Sequence, residues 1–415
     1  MSKAPNPRYA VFGYRDFRFL LAGRLSSAFG GQMLTFAVTW DLWMRTRSPF
    51  SLGLVGLAEV LPILLFALPA GVLADRKNRR TILLIAQTGA VLAAATLTAL
   101  SILQGPIWAI YAALALLGLA RAFSDPAASA YLPLVVPPEQ FTQAATWSSS
   151  TFQIAVITGP TLAGLMIGLF GGSVTEVYGL GFVFLATQVV LVSLIRARPV
   201  VRNVQTHPWH SLIEGLRFLW GNKVLLSAIT LDLFAVLLGG AVALLPIYAT
   251  DILNVGPWGL GLLRSAPSVG ALLMALFLAH RGPFRNAGTS LLWCVAGFGA
   301  ATVVFGFSTW FPLSLAMLFV LGVLDNVSVV IRQTLMLTQV PDEMRGRTSA
   351  VNTVFISSSN ELGDFESGVV AGFLGPVAAV VAGGLGTLLV VLGVWKFFPQ
   401  LVALKELGKP ERKSG

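Results

Sequence analysis

Ionisable side chains stand inside long apolar runs of this sequence, among them Arg24, Glu59, Arg121, Asp125, Asp232, Arg264, Asp325, Glu361, Asp364 and Glu366. A charge at the centre of a bilayer costs about 2.5–3.5 kcal/mol on the mildest scale, so each needs a partner or a wet cavity. Glu361 and Asp364, in SSSNELGDFESG, fall at i and i+3 and share a helix face. Two close carboxylates in a low dielectric cannot both hold charge easily, so this pair is a candidate proton site; the alternative is a polar face lining water, with both acids ionised. Asp232 lies alone in ITLDLFAVLLGG and is a second proton-binding candidate, with Arg264 or Arg24 as its expected partner. Arg24, Ser26, Ser27 and Gln32 make one side of the first run polar, and Arg24 could meet an anionic substrate. Arg121 and Asp125, four residues apart, share a face of the fourth run.

No enzyme signature accompanies these residues. Three histidines are present in all, and His207 and His210 have no third metal ligand nearby. There is no phosphate-cradling glycine loop followed by lysine and no serine nucleophile elbow. The expectation is a non-enzyme without cofactor or metal. The single cysteine, Cys294, cannot form an intrachain disulfide and reads as a small packing residue.

The elements that must position these charges are membrane helices. Of 415 residues, 55% are hydrophobic and 11% charged, against about 25% charged for a soluble domain. Twelve apolar segments cover residues 18–44, 50–74, 80–104, 106–131, 141–170, 176–196, 223–250, 257–280, 288–308, 311–337, 346–372 and 374–398. Each has about the 20 residues a crossing helix needs. No cleavable signal peptide is expected, because the first residues are polar and the first apolar stretch is too long for one.

The net charge of +10 is spread over loops, so it reads as topology and not as a nucleic-acid surface. With the N-terminus cytoplasmic, 23 of the 28 Lys and Arg residues fall on the inner side, Arg332 among them, and only Arg45 and Arg47 outside. That asymmetry orients the chain with both termini in the cytoplasm. The domain reading is a six-helix bundle over 1–196, a linker over 197–222, a second bundle over 223–398 and a cytoplasmic tail over 399–415. Within the linker, HPWHSLIEGLRFLW puts Leu212, Ile213, Leu216 and Leu219 on one side, as a surface-lying amphipathic helix would. A shift of 204 residues lays Pro137-Pro138-Glu139 on Pro341-Asp342-Glu343, and pairs Gly118 with Gly322, Gly159 with Gly363, Gly164 with Gly368 and Gly168 with Gly372. Two repeated halves around a cavity are the build of alternating-access carriers.

Between the second and third segments stands GVLADRKNRR, from Gly71 to Arg80. It resembles the G-x-L-A-D-R-x-G-R-R loop between helices 2 and 3 of the major facilitator superfamily. Asn78 stands where the family usually has glycine, and asparagine tolerates the left-handed backbone better than most residues. The resemblance implies that Asp125 pairs with Arg76 or Arg79, and that Asp75 faces the N-terminal end of segment 11. Asp75, Arg76, Arg79, Arg121 and Asp125 would then form a cytoplasmic gate. Because helices 1, 4, 7 and 10 line the cavity of that fold, Arg24, Gln32 and Asp325 become cavity candidates beside Asp232, and Arg264 of the eighth segment is a further cavity candidate. Gly159-Pro160-Thr161-Leu162-Ala163-Gly164 is similar to the tail of the G-P-x-x-G-G motif of drug:proton antiporters, with Ala155 and Ala163 in place of glycines. The linker and the stretch from Gln339 to Arg347 resemble the siderophore-exporter branch.

The expectation is an all-α membrane protein with twelve transmembrane helices in two pseudo-symmetric six-helix bundles. It would sit in the inner, cytoplasmic membrane and export a drug-like or siderophore-like molecule by proton-coupled alternating access. The alternatives are a carrier for lipid-like substrates, an uptake system, or a receptor or scaffold on a carrier fold. The expected partners are a small-molecule substrate, protons and membrane lipid, with the chain acting as a monomer.

Overall fold

The computed structural model describes residues 7–196, 208–280, 284 and 286–404, without the side chains at 7–8, 68, 74–76, 130, 208–212, 342–343, 350, 353–354 and 357. Among the described residues every regular element is helical. In the first half these are α1 (Arg15–Thr46), α2 (Pro49–Arg76), α3 (Arg79–Ile102), α4 (Ile107–Val135), α5 (Phe141–Leu169) and α6 (Thr175–Ser193). The second half has α7 (Pro208–Gly221), α8 (Lys223–Leu238), α9 (Gly256–His280), α10 (Ala287–Phe307), α11 (Phe311–Gln339), α12 (Asp342–Leu374) and α13 (Pro376–Phe397).

Ten helical segments among the described residues are long and apolar enough to cross a membrane. α1 and α12 are not among them, although they run to 32 and 33 residues. Both have the length but carry polar faces, and these are the faces that hold Arg24, Gln32, Glu361 and Asp364. A polar stripe on a membrane helix must look inward, toward protein or water. With them the chain is the expected twelve-span, all-α protein.

Helix ends follow local chemistry. Gly375 sits at φ +86° between α12 and α13, a backbone that side chains other than glycine resist, and Pro376 opens α13 where a missing N–H costs nothing. Asn78 is not left-handed. It is extended, at φ −62° and ψ 111°, and its side chain accepts from the Arg80 N–H at 3.0 Å. The residue therefore caps α3 and is not the conformational substitute for glycine that the loop's spelling implied. Asn78→Ala is expected to cost about 1 kcal/mol and Asn78→Gly only a few tenths. Thermal denaturation in detergent checks the order; a gain from glycine would mean that the cap is not what matters.

The expected seventh segment is not one helix. α8 ends at Leu238, and the chain continues through a 3-10 turn (Ala241–Leu244), one α turn (Leu245–Ile247) and a π turn (Tyr248–Ile252). Gly239, Gly240 and Pro246 account for the break. Proline cannot donate to the ladder, and a Cβ on Gly240 would lie 2.7 Å from the Gly363 carbonyl oxygen of α12. The interruption is tolerated because it is buried in protein.

Two compact units emerge, one of residues 1–45 and 58–205, the other of 46–57 and 206–415. In the first, α3 packs on both α4 and α6, over a core that includes Phe17, Leu83, Tyr131 and Val192. In the second, α10 packs on α13 and α11, and α9 on α11, over a core that includes Leu225, Leu231, Leu291 and Ile331. α7 belongs to this core through Leu216, Phe218 and Leu219, while Ile213 and Trp220 stay exposed. Ile213 thus stands apart from the apolar side expected of it, because α7 rests on α12: Glu214 pairs with Arg347, and Gly215 lets the two backbones meet. His207, and the side chains of His210 and Leu212, lie outside the described residues.

Within each unit the same helix crossings recur. Gly118 of α4 lies against the Glu59 carbonyl of α2, and Gly322 of α11 against the Pro267 carbonyl of α9. A Cβ on Gly159 of α5 would sit 2.8 Å from Gln32 Cβ of α1, and one on Gly363 of α12 2.9 Å from the Val236 oxygen of α8. Gly181 of α6 meets Leu34 of α1, as Gly386 of α13 meets Leu238 of α8. Two of the glycine pairs related by the sequence shift, Gly118 with Gly322 and Gly159 with Gly363, thus do the same packing job in each half, letting helices approach.

Candidate functional site

The first unit encloses a cavity of about 390 Å³. On α1, Arg24, Ala28, Gly31, Gln32 and Thr35 line it, and on α4 Leu117, Ala120, Arg121, Ser124, Asp125 and Ala128. Both sets follow the three-four spacing of one helix face. Small residues on these faces leave the space open, and Gln87 of α3 and Gln188 of α6 complete its polar wall.

Arg121 reaches out of the wall to Glu59 of α2 at 2.6 Å, and Glu59 is almost wholly buried. The other Glu59 oxygen has no hydrogen-bond partner. Asp125 accepts from the Ser124 hydroxyl at 3.4 Å and lies within electrostatic reach of Arg121 and Arg24. Arg24 and Arg121 are therefore matched by Glu59 and Asp125, and the cavity carries both signs with no net charge. Two members of the expected cytoplasmic gate, Arg121 and Asp125, have described contacts here. Arg121 is bound to Glu59, and Asp125 shares the cavity with Arg24. The side chains of Asp75 and Arg76 lie outside the described residues, and Arg79, which opens α3, is not without a partner.

The second unit holds the other charged cluster. Asp232 of α8 is ion-paired with Arg332 of α11, and they are 7% and 9% exposed. This corrects the expected pairing of Asp232 with Arg264 or Arg24. Arg332 also leaves the inner-loop ledger, since it sits inside α11. Asp325 and Arg332 are seven residues apart, two helical turns, so one face of α11 presents both. Asp232, Asp325 and Ser328 border a void of about 10 Å³, together with Cys294 and Phe298. Among the described residues, the Arg332 Nε, the Asn326 Oδ1 and the Ser328 Oγ have no hydrogen-bond partner. A void of this size with polar walls holds about one water molecule. Two acids against one base leave this cluster one negative charge in excess.

Glu361 and Asp364 sit on α12 where the first turns of α2 approach it; a Cβ on Gly56 would lie 3.2 Å from Asp364 Cβ. Both acids have partners, as does Arg264 of α9. Glu366 accepts from the Ser367 hydroxyl at 3.5 Å. Asp41, which the sequence reading passed over, is held by Arg45 at 2.9 Å and by the Tyr178 hydroxyl at 3.3 Å. Gln87 and Gln188 were also passed over. Their signal is a lone carboxamide in an apolar run, weaker than a charge but of the same kind.

The family model of the Major Facilitator Superfamily matches residues 20–363. Among curated proteins, the chain is 29% identical over 406 residues to the multidrug efflux pump Tap of Mycolicibacterium fortuitum, covering 94% of this chain and 97% of that one. It is 27% identical over 381 residues to the enterobactin exporter EntS of Escherichia coli O9:H4 (strain HS), covering 90% and 89%. It is 27% identical over 281 residues to macrolide efflux protein A of Streptococcus pyogenes, covering 65% and 67%. Among solved structures, the POT family transporter PepTSo superposes with a TM-score of 0.77 at 12% identity, over 93% of this chain and 98% of that one. The nucleoside transporter NupG gives a TM-score of 0.69 at 14% identity, over 94% and 100%.

Proposed function

The chain belongs to the major facilitator superfamily, and from that premise we propose that it exports an amphipathic small molecule by proton-coupled alternating access. The observation that carries the coupling is the buried cluster of Asp232, Asp325 and Arg332, with one acid more than it has bases. A single proton neutralises it. Proton binding can drive a conformational change only if the cluster's affinity for the proton differs between the two states. A buried ion pair beside a second acid and a water-sized void is suited to that, because any change in packing or wetting alters the cost of the extra charge. Asp232 and Asp325 are then the proton-coupling residues, with the Glu361 and Asp364 pair as the second candidate.

The substrate's polar part fits the cavity of the first unit, where Arg24 suits an acidic or electron-rich group. Its volume lies near the lower end of drug-sized sites, about 300–1,000 Å³. Outward direction is supported by the relatives Tap, macrolide efflux protein A and EntS, which are two efflux proteins and an exporter. The basic asymmetry of the loops supports an inner-membrane protein with both ends in the cytoplasm.

Carriage of a lipid-like substrate is a second reading with one observation in its favour. An apolar groove of about 320 Å³, lined by Leu73, Ile85, Leu116, Leu119 and Phe123, shares Ala86 and Ala120 with the polar cavity. An amphipathic molecule could lodge its apolar part there.

Growth inhibition across a panel of antibacterial compounds, with and without the protein expressed, tests the export reading. Expression should raise the inhibitory concentration of a subset. Asp325→Asn, which removes the surplus charge and leaves the Asp232–Arg332 pair intact, should lower that protection by about ten-fold or more at equal expression. Protection that survives Asp325→Asn in full would remove Asp325 from the coupling mechanism, and no protection against any compound would sink the export reading.

A further inference from the structure

One polar side chain that lines the cavity of the first unit has a buried oxygen with no hydrogen-bond partner among the described residues. Gln87 is 5% exposed, its Oε1 accepts no hydrogen bond, and it lines the cavity. The rest of its helix contributes Leu83, Ala86 and Ala90 to that wall. The neighbouring Thr88 hydroxyl donates back to the Leu84 carbonyl at 2.8 Å and offers Gln87 nothing. Leaving a buried carboxamide oxygen unmet costs about 1–3 kcal/mol, and a leucine would fill this place on an apolar helix without that cost.

We propose that Gln87 is a specificity-determining residue of a hydrogen-bonding subsite in this cavity, which takes a hydroxyl-bearing part of the transported molecule. The Gln87 oxygen is buried from the cavity, and the ligand O–H donates to it once the carboxamide turns toward the space that Gln87 lines. Gln188 and Gln32, whose side chains border the same space, supply further amide donors and acceptors, and Arg24 receives an acidic substituent. The subsite reaches beyond the charged residues of α1 and α4 to α3 and α6. It rests on the reading of this cavity as the substrate site.

Two fluorescent probes that differ in one donor test it: 7-hydroxycoumarin-3-carboxylate and 7-methoxycoumarin-3-carboxylate. Each carries a carboxylate for Arg24, and only the first has an O–H. Binding to the full chain in lipid nanodiscs is read by fluorescence anisotropy, in buffer acidic enough to keep the phenol protonated. The wild-type protein should bind the hydroxy probe about ten-fold more tightly. Gln87→Leu should erase the difference by weakening the hydroxy probe alone, with an unchanged or raised melting temperature, since it removes an unmet buried group. Gln87→Met, closer in shape, carries the same expectation should the leucine variant fail to fold. Equal binding of the probes by the wild type, a preference that survives in Gln87→Leu, or binding of neither probe would overturn the proposal. Because no gradient is involved, discrimination without proton-driven export in the same preparation would sink the exporter reading and leave the subsite standing. Export without discrimination would do the reverse.

Discussion

Replacing Asp232 with asparagine is expected to destabilise the second unit by about 3–5 kcal/mol, because it strands the Arg332 guanidinium in a buried site. Asp325, which faces the same void, can compensate in part, so the lower end of that range is the better expectation. Arg332→Met alone should be comparably damaging, since it leaves two acids close together with no base between them. The double variant, Asp232→Asn with Arg332→Met, should recover most of the loss. A buried ion pair costs so much desolvation that replacing both partners is often neutral or stabilising. Denaturation midpoints of the three variants in detergent close the cycle. Simple addition of the two single losses would mean that the pair does not exist as described. The double variant should nonetheless fail to couple export to protons, which separates the pair's structural work from its functional work.

Gly322→Leu is expected to abolish correctly folded protein, with a cost above about 3 kcal/mol, and Gly118→Leu should behave alike. Overpacking usually costs 1–3 kcal/mol because side chains can give way. At these two sites the obstacle is backbone. A Cβ on Gly322 runs into the Pro267 carbonyl, and one on Gly118 into the Glu59 carbonyl. The whole helix would have to move. Gly118→Leu also displaces the helix that carries Glu59, so the Arg121 ion pair goes with it. Gly346→Leu, with nothing within 4 Å of its Cβ, is the control and should be nearly silent. Fluorescence-detected size exclusion of tagged protein reads the outcome. A folded Gly322→Leu variant with a normal midpoint would mean that α9 and α11 do not cross where described.

Much of the fold was legible because membrane helices announce themselves by length and apolarity, and the glycine spacing carried the repeat. What was missed has specific causes. Apolarity says nothing of backbone continuity, so the break after Leu238 went unseen, although Gly239, Gly240 and Pro246 were all in view. Asn78 was judged by the residue it replaces and not by the cap it makes on Arg80. Arg332 was counted as a loop charge because it stands near the end of its segment; its seven-residue spacing from Asp325 was the sign that it faces inward. The lone acid at Asp232 was flagged correctly as needing a cation, but a sequence does not say which helix delivers it. Carboxamides are cheaper to bury than charges, so Gln87 and Gln188, which unlike Gln32 have no charged residue in the interior of their own apolar run, give a weaker signal.

The most direct test of proton-driven export uses inside-out proteoliposomes with an acidic interior and a fluorescent compound from the protected subset added outside. The account predicts uptake into the vesicles that follows the size of the pH gradient, collapses when nigericin dissipates it, and is lost in Asp325→Asn. Uptake indifferent to nigericin, or equal in the variant, would contradict it.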